Sequence, residues 1–465
     1  MIKIENICID KNISIKKSME NIDKNGLGIA FVIDENKKFL GTVADSDIRH
    51  SIMNGINVES EVKKIMNSNP VILPENYKDI DITNFLLSSK KEKIPYLGSI
   101  TVPILNKKKE ITNIILMTEN GHVKSLNDND IVLKSVHRVL VVGGAGFLGS
   151  VLCKKLLEKG YKVRILDNLT YGDAGLKPLY YHDNFEFING DIRNLHVLVK
   201  SIKNVDAVIH LASIVGDSAS EINPEETIKT NYLATKMLAE ICKYNQINRF
   251  IFASTCSVYG ASEIENELNE KSDLNPVSLY AEMKLKSERG ILEIVDENFS
   301  PTILRMATLY GISPRMRFDL VINVLTIKAL KENKITIFGG DQWRPFLHIV
   351  DASNAYIKCL ESSIKKVKGE IFNVTSENLK IKDVGKRIKN IISNTKIVID
   401  KKQIDKRNYN VSSNKIRNIL NYKSFFDIKK GIKEIKDAVE RENKYNDYKN
   451  NLKYSNYDYL NDINR

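Results

Sequence analysis

The stretch VLVVGGAGFLGSVLCKKLLEKGYKVRILDNL, Val139 to Leu169, decides the fold. Its first four residues form an apolar run that reads as a buried strand. A turn follows in which Gly143, Gly146 and Gly149 stand three apart, then a helical pattern, then a second strand, KVRIL, that ends in Asp167. Such a turn needs glycine because the backbone must bend tightly, approach a pyrophosphate closely, and let the helix pack on the strand without a Cβ between them. The helix N-terminus offers unpaired N–H groups and a partial positive charge to the phosphates. Asp167 lies 24 residues after Gly143, where a carboxylate can accept both hydroxyls of an adenosine ribose. It would repel a 2′-phosphate, which favours NAD over NADP.

Working outward, apolar runs recur at DAVIHLAS (Asp206 to Ser213) and RFIFAST (Arg249 to Thr255), with helical stretches such as NYLATKMLAEICKY between them. Alternating β and α units at this rhythm predict a parallel sheet wound by helices on both faces, a Rossmann-type α/β domain. Before it, the chain contains a repeat. FVIDENKKFLGTVADSDIR (Phe31 to Arg49) and VPILNKKKEITNIILMTE (Val102 to Glu119) each read as strand, polar turn and strand, and apolar residues at helical spacing precede both. Four segments are therefore expected: a repeat pair over 1–120, a linker over 121–137, the α/β domain over 138–440, and a polar tail over 441–465. The tail has no sustained apolar face and is expected to fray or lie on the surface.

A chain of 465 residues with 42% hydrophobic and 28% charged residues can bury two or three cores. The net charge of +12 is spread among acidic residues, and the longest pure basic run is Lys107 to Lys109, so nucleic acid is not an expected partner. Five cysteines at 8, 153, 242, 256 and 359 form no CxxC and have no His partners at ligand spacing, so no metal site is expected and a reducing cytosol fits. The N-terminus has no apolar core of a signal peptide, and no uninterrupted apolar run is long enough for a membrane span.

In SLYAEMKLKSE, Ser278 to Glu288, Tyr280 and Lys284 lie four apart in a helix-forming sequence and so share one face. Here the markers accumulate: GGAGFLG, Asp191 in GDI, HLAS from His210 to Ser213, Asn231 in TNYLAT, STCSVYG, YAEMK and RPFLHIVD. In this order, from about Val139 to Ile435, they resemble the extended short-chain dehydrogenase/reductases of the nucleotide-sugar epimerase and dehydratase type. The N-terminal repeat resembles a tandem pair of cystathionine-β-synthase (CBS) domains, an α+β module that often holds an adenine nucleotide.

The resemblance implies a catalytic set of Thr255, Tyr280 and Lys284. Tyr280 would take a proton from a sugar hydroxyl as hydride leaves for NAD, producing a 4-keto sugar, and Thr255 would hydrogen-bond the reacting oxygen. Because an ordinary tyrosine has a pKa of about 10, the nearby ammonium and the positive nicotinamide ring are expected to lower it. Implied NAD contacts are Gly143, Gly146, Phe147, Leu148, Gly149, Asp167, Asn168, Asp191, Ile192, Leu211, Ala212, Ser213 and Asn231, together with Tyr280 and Lys284. A small C-terminal subdomain would hold a nucleotide-diphosphate sugar through Asn323, Arg344 and Arg407. His210 and His348 are expected to support structure. In the CBS pair Asp47 would contact a nucleotide ribose, whereas Thr118 stands at the matching place of the second repeat. Dehydratases of the type carry an Asp-Glu pair after the catalytic Thr; Cys256 and Ser257 stand there, which favours C4 epimerisation over 4,6-dehydration. A net C4 dehydrogenase and a non-catalytic NAD or adenylate sensor are the other readings, and a homo-oligomer, dimer or tetramer, is expected.

Overall fold

The apolar residues Val139 to Val142 lie in strand Arg138–Val142, near the centre of a seven-stranded sheet. The structure is a computed structural model that describes residues 4–75, 100–117, 123–125, 136–261, 267–296, 299–402, 405 and 407–464. From edge to edge the strands are Phe185–Asn189, Lys162–Asp167, Arg138–Val142, Ala207–His210, Arg249–Thr255, Ser300–Met306 and Glu370–Val374. Every neighbouring pair is parallel. The chain starts near the middle, builds to one edge, then returns and builds to the other. The order therefore reverses between Arg138–Val142 and Ala207–His210, and a crevice opens at the carboxyl ends of those two strands.

The sheet is buried on both faces, which explains why its strands read as continuous apolar runs. Val139 and Val141 pack with Leu152, Leu156 and Tyr356 on one side, while Leu140 and Val142 pack with Leu238 and Phe250 on the other. Each such side chain contributes roughly 1.5–3 kcal/mol by leaving water. After the sixth strand in chain order, Ser300–Met306, the chain builds a smaller layer. Thr308–Tyr310 pairs parallel with Trp343–His348, which pairs antiparallel with Glu377–Lys380. Helices Val321–Glu332, Ile381–Ile391 and Ile428–Arg441 pack there around Ile322, Ile335, Ile388 and Ile432.

Two compact units are present, Met1–Ser135 and Val136–Arg465. In the first unit, strands Ile29–Ile33 and Phe39–Ala44 form one antiparallel hairpin, and Ile100–Leu105 and Ile111–Met117 form another. Each hairpin carries an irregularity in its first strand near the turn. The Phe39 N–H donates to the Lys109 carbonyl at 2.9 Å, and Phe31, Phe39, Leu105 and Ile114 share a core. The stretch at helical spacing before the second strand pair, Thr118 and most of the linker lie outside the described residues.

The C-terminal segment lies on the surface and is docked there rather than frayed. Phe318 N–H donates to the Tyr454 carbonyl at 2.8 Å, and the Phe318 ring meets those of Tyr445 and Tyr454 at 5.5 and 5.2 Å. Helix Asn456–Ile463 comes next, with Asn456 and Leu460 buried. Scattered tyrosines, invisible to a helical period, anchor this segment by docking around a single phenylalanine.

Candidate active site

The glycine turn forms a close-fitting cradle at the crevice. Gly143 has φ +87°, and a Cβ there would stand 2.5 Å from Ala212 N. A Cβ on Gly149 would stand 2.5 Å from the Gly143 carbonyl oxygen, while one on Gly146 would meet the same oxygen at 3.4 Å, an ordinary contact. Gly144, absent from the sequence expectations, is also constrained: its Cβ would press on Ile165 at 2.7 Å. Helix Phe147–Glu158 begins at Gly146 with no side-chain cap, so its first N–H groups, those of Phe147 and Leu148 among them, face the crevice free for an anion. Leu211 and Ala212 N–H both donate to the Val142 carbonyl, at 2.8 and 2.9 Å, which seats the HLAS segment against the turn. A cradle that a Cβ would fill, beside an uncapped helix, fits the pyrophosphate of a dinucleotide.

Asp167 sits at the end of its strand and accepts from the N–H groups of Ala145 at 2.9 Å and Leu169 at 2.9 Å, tying the glycine turn to the ribose side. Burial raises its pKa against those two bonds. Asn168 accepts from Thr170, and Asp191 pairs with Arg193 at 2.7 Å, which holds the aspartate below its ordinary pKa despite burial. Ile192 is buried. Ser213 Oγ donates to the Ile214 carbonyl at 3.3 Å. Asn231 is 1% exposed and spends its amide on Ile214, accepting from its N–H at 2.8 Å and donating to its carbonyl at 2.9 Å. It positions the loop beside the cofactor cleft. Asn231 lies in the π-helical turn Lys229–Leu233, whose freed carbonyl at Asn231 accepts from Thr235 and Ser287.

Thr255, Tyr280 and Lys284 come together in the structure. Thr255 ends its strand, and Ser278 caps helix Leu279–Leu292, which carries Tyr280 and Lys284 one turn apart. Tyr280 keeps some exposed surface, and its hydroxyl is hydrogen-bonded to Thr255. Lys284 Nζ donates to the Ala253 carbonyl at 2.8 Å and lies 5.9 Å from the Tyr280 ring centre. The expected lowering of the tyrosine pKa is not what this protein frame produces. Desolvation pushes Tyr280 up, Asp217 adds to the rise, and the Thr255 bond opposes it. Lys284 is itself held down to about 7 by burial, with Glu288 pulling the other way. Its charge is directed at a carbonyl, so the frame alone does not stabilise a phenolate.

Beneath this set, Arg305 and Glu288 form a buried ion pair, each 2% exposed, at 2.7 Å. Glu288 also accepts from Ser254, next to Thr255. Cys256 is buried, and its Sγ donates to the Arg305 carbonyl at 3.3 Å. Ser257 Oγ lies 3.2 Å from the Tyr409 hydroxyl. His210 is buried with Nε2 2.8 Å from Thr235 Oγ1, and burial together with Lys284 lowers its pKa to about 3, so it stays neutral. His348 is buried between Phe426, stacked at 3.8 Å, and Glu434, at 2.7 Å.

At the substrate end, Arg344 and Arg407 meet on one carboxylate, Asp405, at 2.7 and 2.6 Å. Burial works against that charge, but the two guanidiniums prevail and hold Asp405 at about 2. Arg407 also pairs with Asp217 at 2.6 Å, and Asp217 in turn accepts from Ser278 Oγ at 2.6 Å, so the network reaches the cap of the Tyr280 helix. Asn323 is a correction. It is fully buried, accepts from Gly311 N–H at 3.0 Å and donates to the Gly311 and Arg317 carbonyls, leaving no donor for a phosphate. Its amide ties a strand end to the following loop, a tertiary demand that its sequence position does not reveal. Asp217, Arg317 and Tyr409, which crowd Tyr280, were not singled out from sequence. The only available signal was their position in otherwise matched motif segments.

Residues 139–375 match the model of the NAD dependent epimerase/dehydratase family. The chain belongs to that family. Residues 1–54 match the CBS domain. A putative UDP-glucose 4-epimerase of Methanocaldococcus jannaschii is 31% identical over 315 residues, 66% of this chain and 99% of the relative. The dTDP-D-glucose 4,6-dehydratase of Bos taurus is 30% identical over 288 residues, 60% and 79% of the two chains. Among solved structures, UDP-glucuronic acid 4-epimerase from Bacillus cereus, in complex with UDP-glucuronic acid and NAD, aligns with a TM-score of 0.60 at 28% identity, covering 65% of this chain and 99% of that one. As an NAD-dependent epimerase/dehydratase, the chain is an enzyme whose cofactor is NAD. No helix among the described residues is long and apolar enough to cross a membrane.

Proposed function

We propose that the chain is a nucleotide-sugar 4-epimerase working through a transient 4-keto sugar. The observation that carries this reading is the state of the two residues after Thr255. Elimination of water from a 4-keto sugar needs an acid for the leaving hydroxyl and a base for the C5 proton. Burial pushes the Cys256 thiol far above the neutral range, and its Sγ is committed to the Arg305 carbonyl. Ser257 shares its hydroxyl with Tyr409. Neither is an acid or base near pH 7, so the ketone's open outlet is reduction from its other face.

Bound NAD supplies reversible hydride exchange at C4 of the sugar. Tyr280 takes the proton of the 4-hydroxyl and later returns it, and Thr255, already bonded to it, aligns that oxygen. Lys284 braces the helix against Ala253 and stands ready for a ribose hydroxyl. Arg344 and Arg407 take the substrate diphosphate, for which a guanidinium fork is well shaped, in exchange for their shared hold on Asp405.

Incubation with UDP-glucose, UDP-glucuronic acid and dTDP-glucose, followed by chromatography and mass measurement, tests this. An isomer of unchanged mass is expected. Loss of water marks a dehydratase, loss of carbon dioxide a decarboxylase, and stoichiometric NADH a dehydrogenase; each overturns the proposal. The N-terminal unit is read as a regulatory or assembly module taking an adenine nucleotide beside Asp47, whose carboxylate accepts from Ala44 N–H at 2.8 Å. Turnover titrated with ATP and AMP tests the regulatory part, and native mass tests the homo-oligomer. Five cysteines without a disulfide fit a cytosolic enzyme.

A further inference from the structure

The loop from Gly311 to Asp319 runs against the first turn of helix Phe147–Glu158. Ser313 fastens it there, donating to the Phe147 carbonyl at 2.8 Å and lying 2.8 Å from Ser150 Oγ, both on the first turn of the helix behind the glycine cradle. Two residues on, Arg315 is 4% exposed. Its guanidinium lies 4.2 Å from the centre of the Tyr171 ring, in the loop that follows Asp167. Its one side-chain hydrogen bond among the described residues goes to a neutral amide oxygen, Asn456 Oδ1, at 2.6 Å, and its buried Nε has no partner there. Arg317, by contrast, is neutralised by both oxygens of Asp319 at 2.9 and 2.8 Å.

A buried cation without its own carboxylate is costly unless an anion completes it. Burial and the neighbouring Arg317 lower the Arg315 pKa to about 10, in keeping with that cost. Asn456 comes from the C-terminal segment, beyond the residues that the family model matches. It also donates to the Val215 carbonyl at 3.2 Å and, from its backbone, to Asp319 at 3.0 Å, and Tyr459 packs on Tyr171 at 5.5 Å. The segment thus clasps three loops around the crevice: the one after Asp167, the one after HLAS and the one bearing Arg315.

We propose that Arg315, held in place by Asn456 of the C-terminal clasp, is a binding residue for the NAD pyrophosphate and keeps the cofactor on the enzyme between turnovers. Ser313, two residues before Arg315, ties the same loop to the uncapped helix that faces that diphosphate. The other diphosphate available to the enzyme, that of the nucleotide sugar, has Arg344 and Arg407. The inference concerns the cofactor and is independent of what happens at C4, so binding is the readout.

The experiment uses the full chain as wild type, Arg315→Gln and Asn456→Ala. NAD retained per chain after gel filtration is released by denaturation and quantified. Dissociation constants for NAD, ADP-ribose and UDP are measured by calorimetry on stripped protein, and circular dichroism checks folding. Arg315→Gln is expected to weaken NAD and ADP-ribose by about tenfold or more while leaving UDP within about twofold. Asn456→Ala should shift both dinucleotide constants in the same direction by less. Retention and affinities at wild-type values in either folded variant overturn the proposal, as does a loss for UDP that matches the loss for NAD. If Arg315→Gln fails to fold, Asn456→Ala decides on the same criteria.

Discussion

Lys284→Met tests the electrostatics beneath the catalytic helix. Lys284 is 2% exposed, and burial lowers its pKa from 10.5 to about 7. That gap, at about 1.4 kcal/mol per pH unit, is on the order of 5 kcal/mol. Between pH 7 and 10.5 the unfolded chain keeps a proton that the folded chain has released, so stability rises with pH through that window. Below it both states are protonated and the folded state bears the whole burial penalty; above it neither is, and the penalty is gone. Methionine carries no charge and removes the penalty at every pH, while leaving the Ala253 carbonyl without its donor costs about 1–3 kcal/mol. Urea unfolding of wild type and variant, without added nucleotide, from about pH 6 to about pH 9.5, gives the comparison. The variant should be the more stable protein near neutrality, with a lead that shrinks steadily as pH rises. Parallel profiles would refute the assignment of a buried, depressed lysine, and so would a lead that grows with pH.

Tyr280→Phe should lower kcat by about a hundredfold to ten-thousandfold while NAD retention stays at the wild-type level; undiminished turnover would remove Tyr280 as the proton acceptor. Glu288→Gln leaves Arg305 charged and buried, so a loss of about 3–5 kcal/mol in unfolding free energy is expected, whereas the double replacement Glu288→Gln, Arg305→Met should recover most of it. Additive losses in that cycle would show that the pair does not act as a unit. Gly149→Ala places a Cβ 2.5 Å from the Gly143 carbonyl and 2.6 Å from Gly144 Cα, so the cradle must open and both thermal stability and NAD affinity should fall; binding at wild-type strength would contradict the close packing.

Much of the site was legible because its signals are local. Gly143, Gly146 and Gly149 answer a requirement on one turn of backbone, and Tyr280 and Lys284 share a face because four residues make nearly one helical turn. Asn323 misled because an amide beside a basic loop looks like a phosphate donor in one dimension, yet packing consumes both of its amide donors on Gly311 and Arg317. Lowering the tyrosine pKa calls on the positive nicotinamide ring as well as on the lysine. A lysine four residues away has the right charge, but its ammonium is directed at Ala253, and burial of the phenol outweighs it.

By itself, then, the chain determined the parallel sheet, the dinucleotide turn and the catalytic helix, since periodicity and glycine placement act over a few residues. Tertiary structure alone decided that Arg344 and Arg407 converge on Asp405, that Asp217 reaches across to Arg407, and that a polar tail returns to hold Arg315. Those contacts join residues up to 190 positions apart in the sequence. Charge and hydrogen-bond partners at such separations are set by which loops the sheet brings to one edge, and no local pattern encodes that.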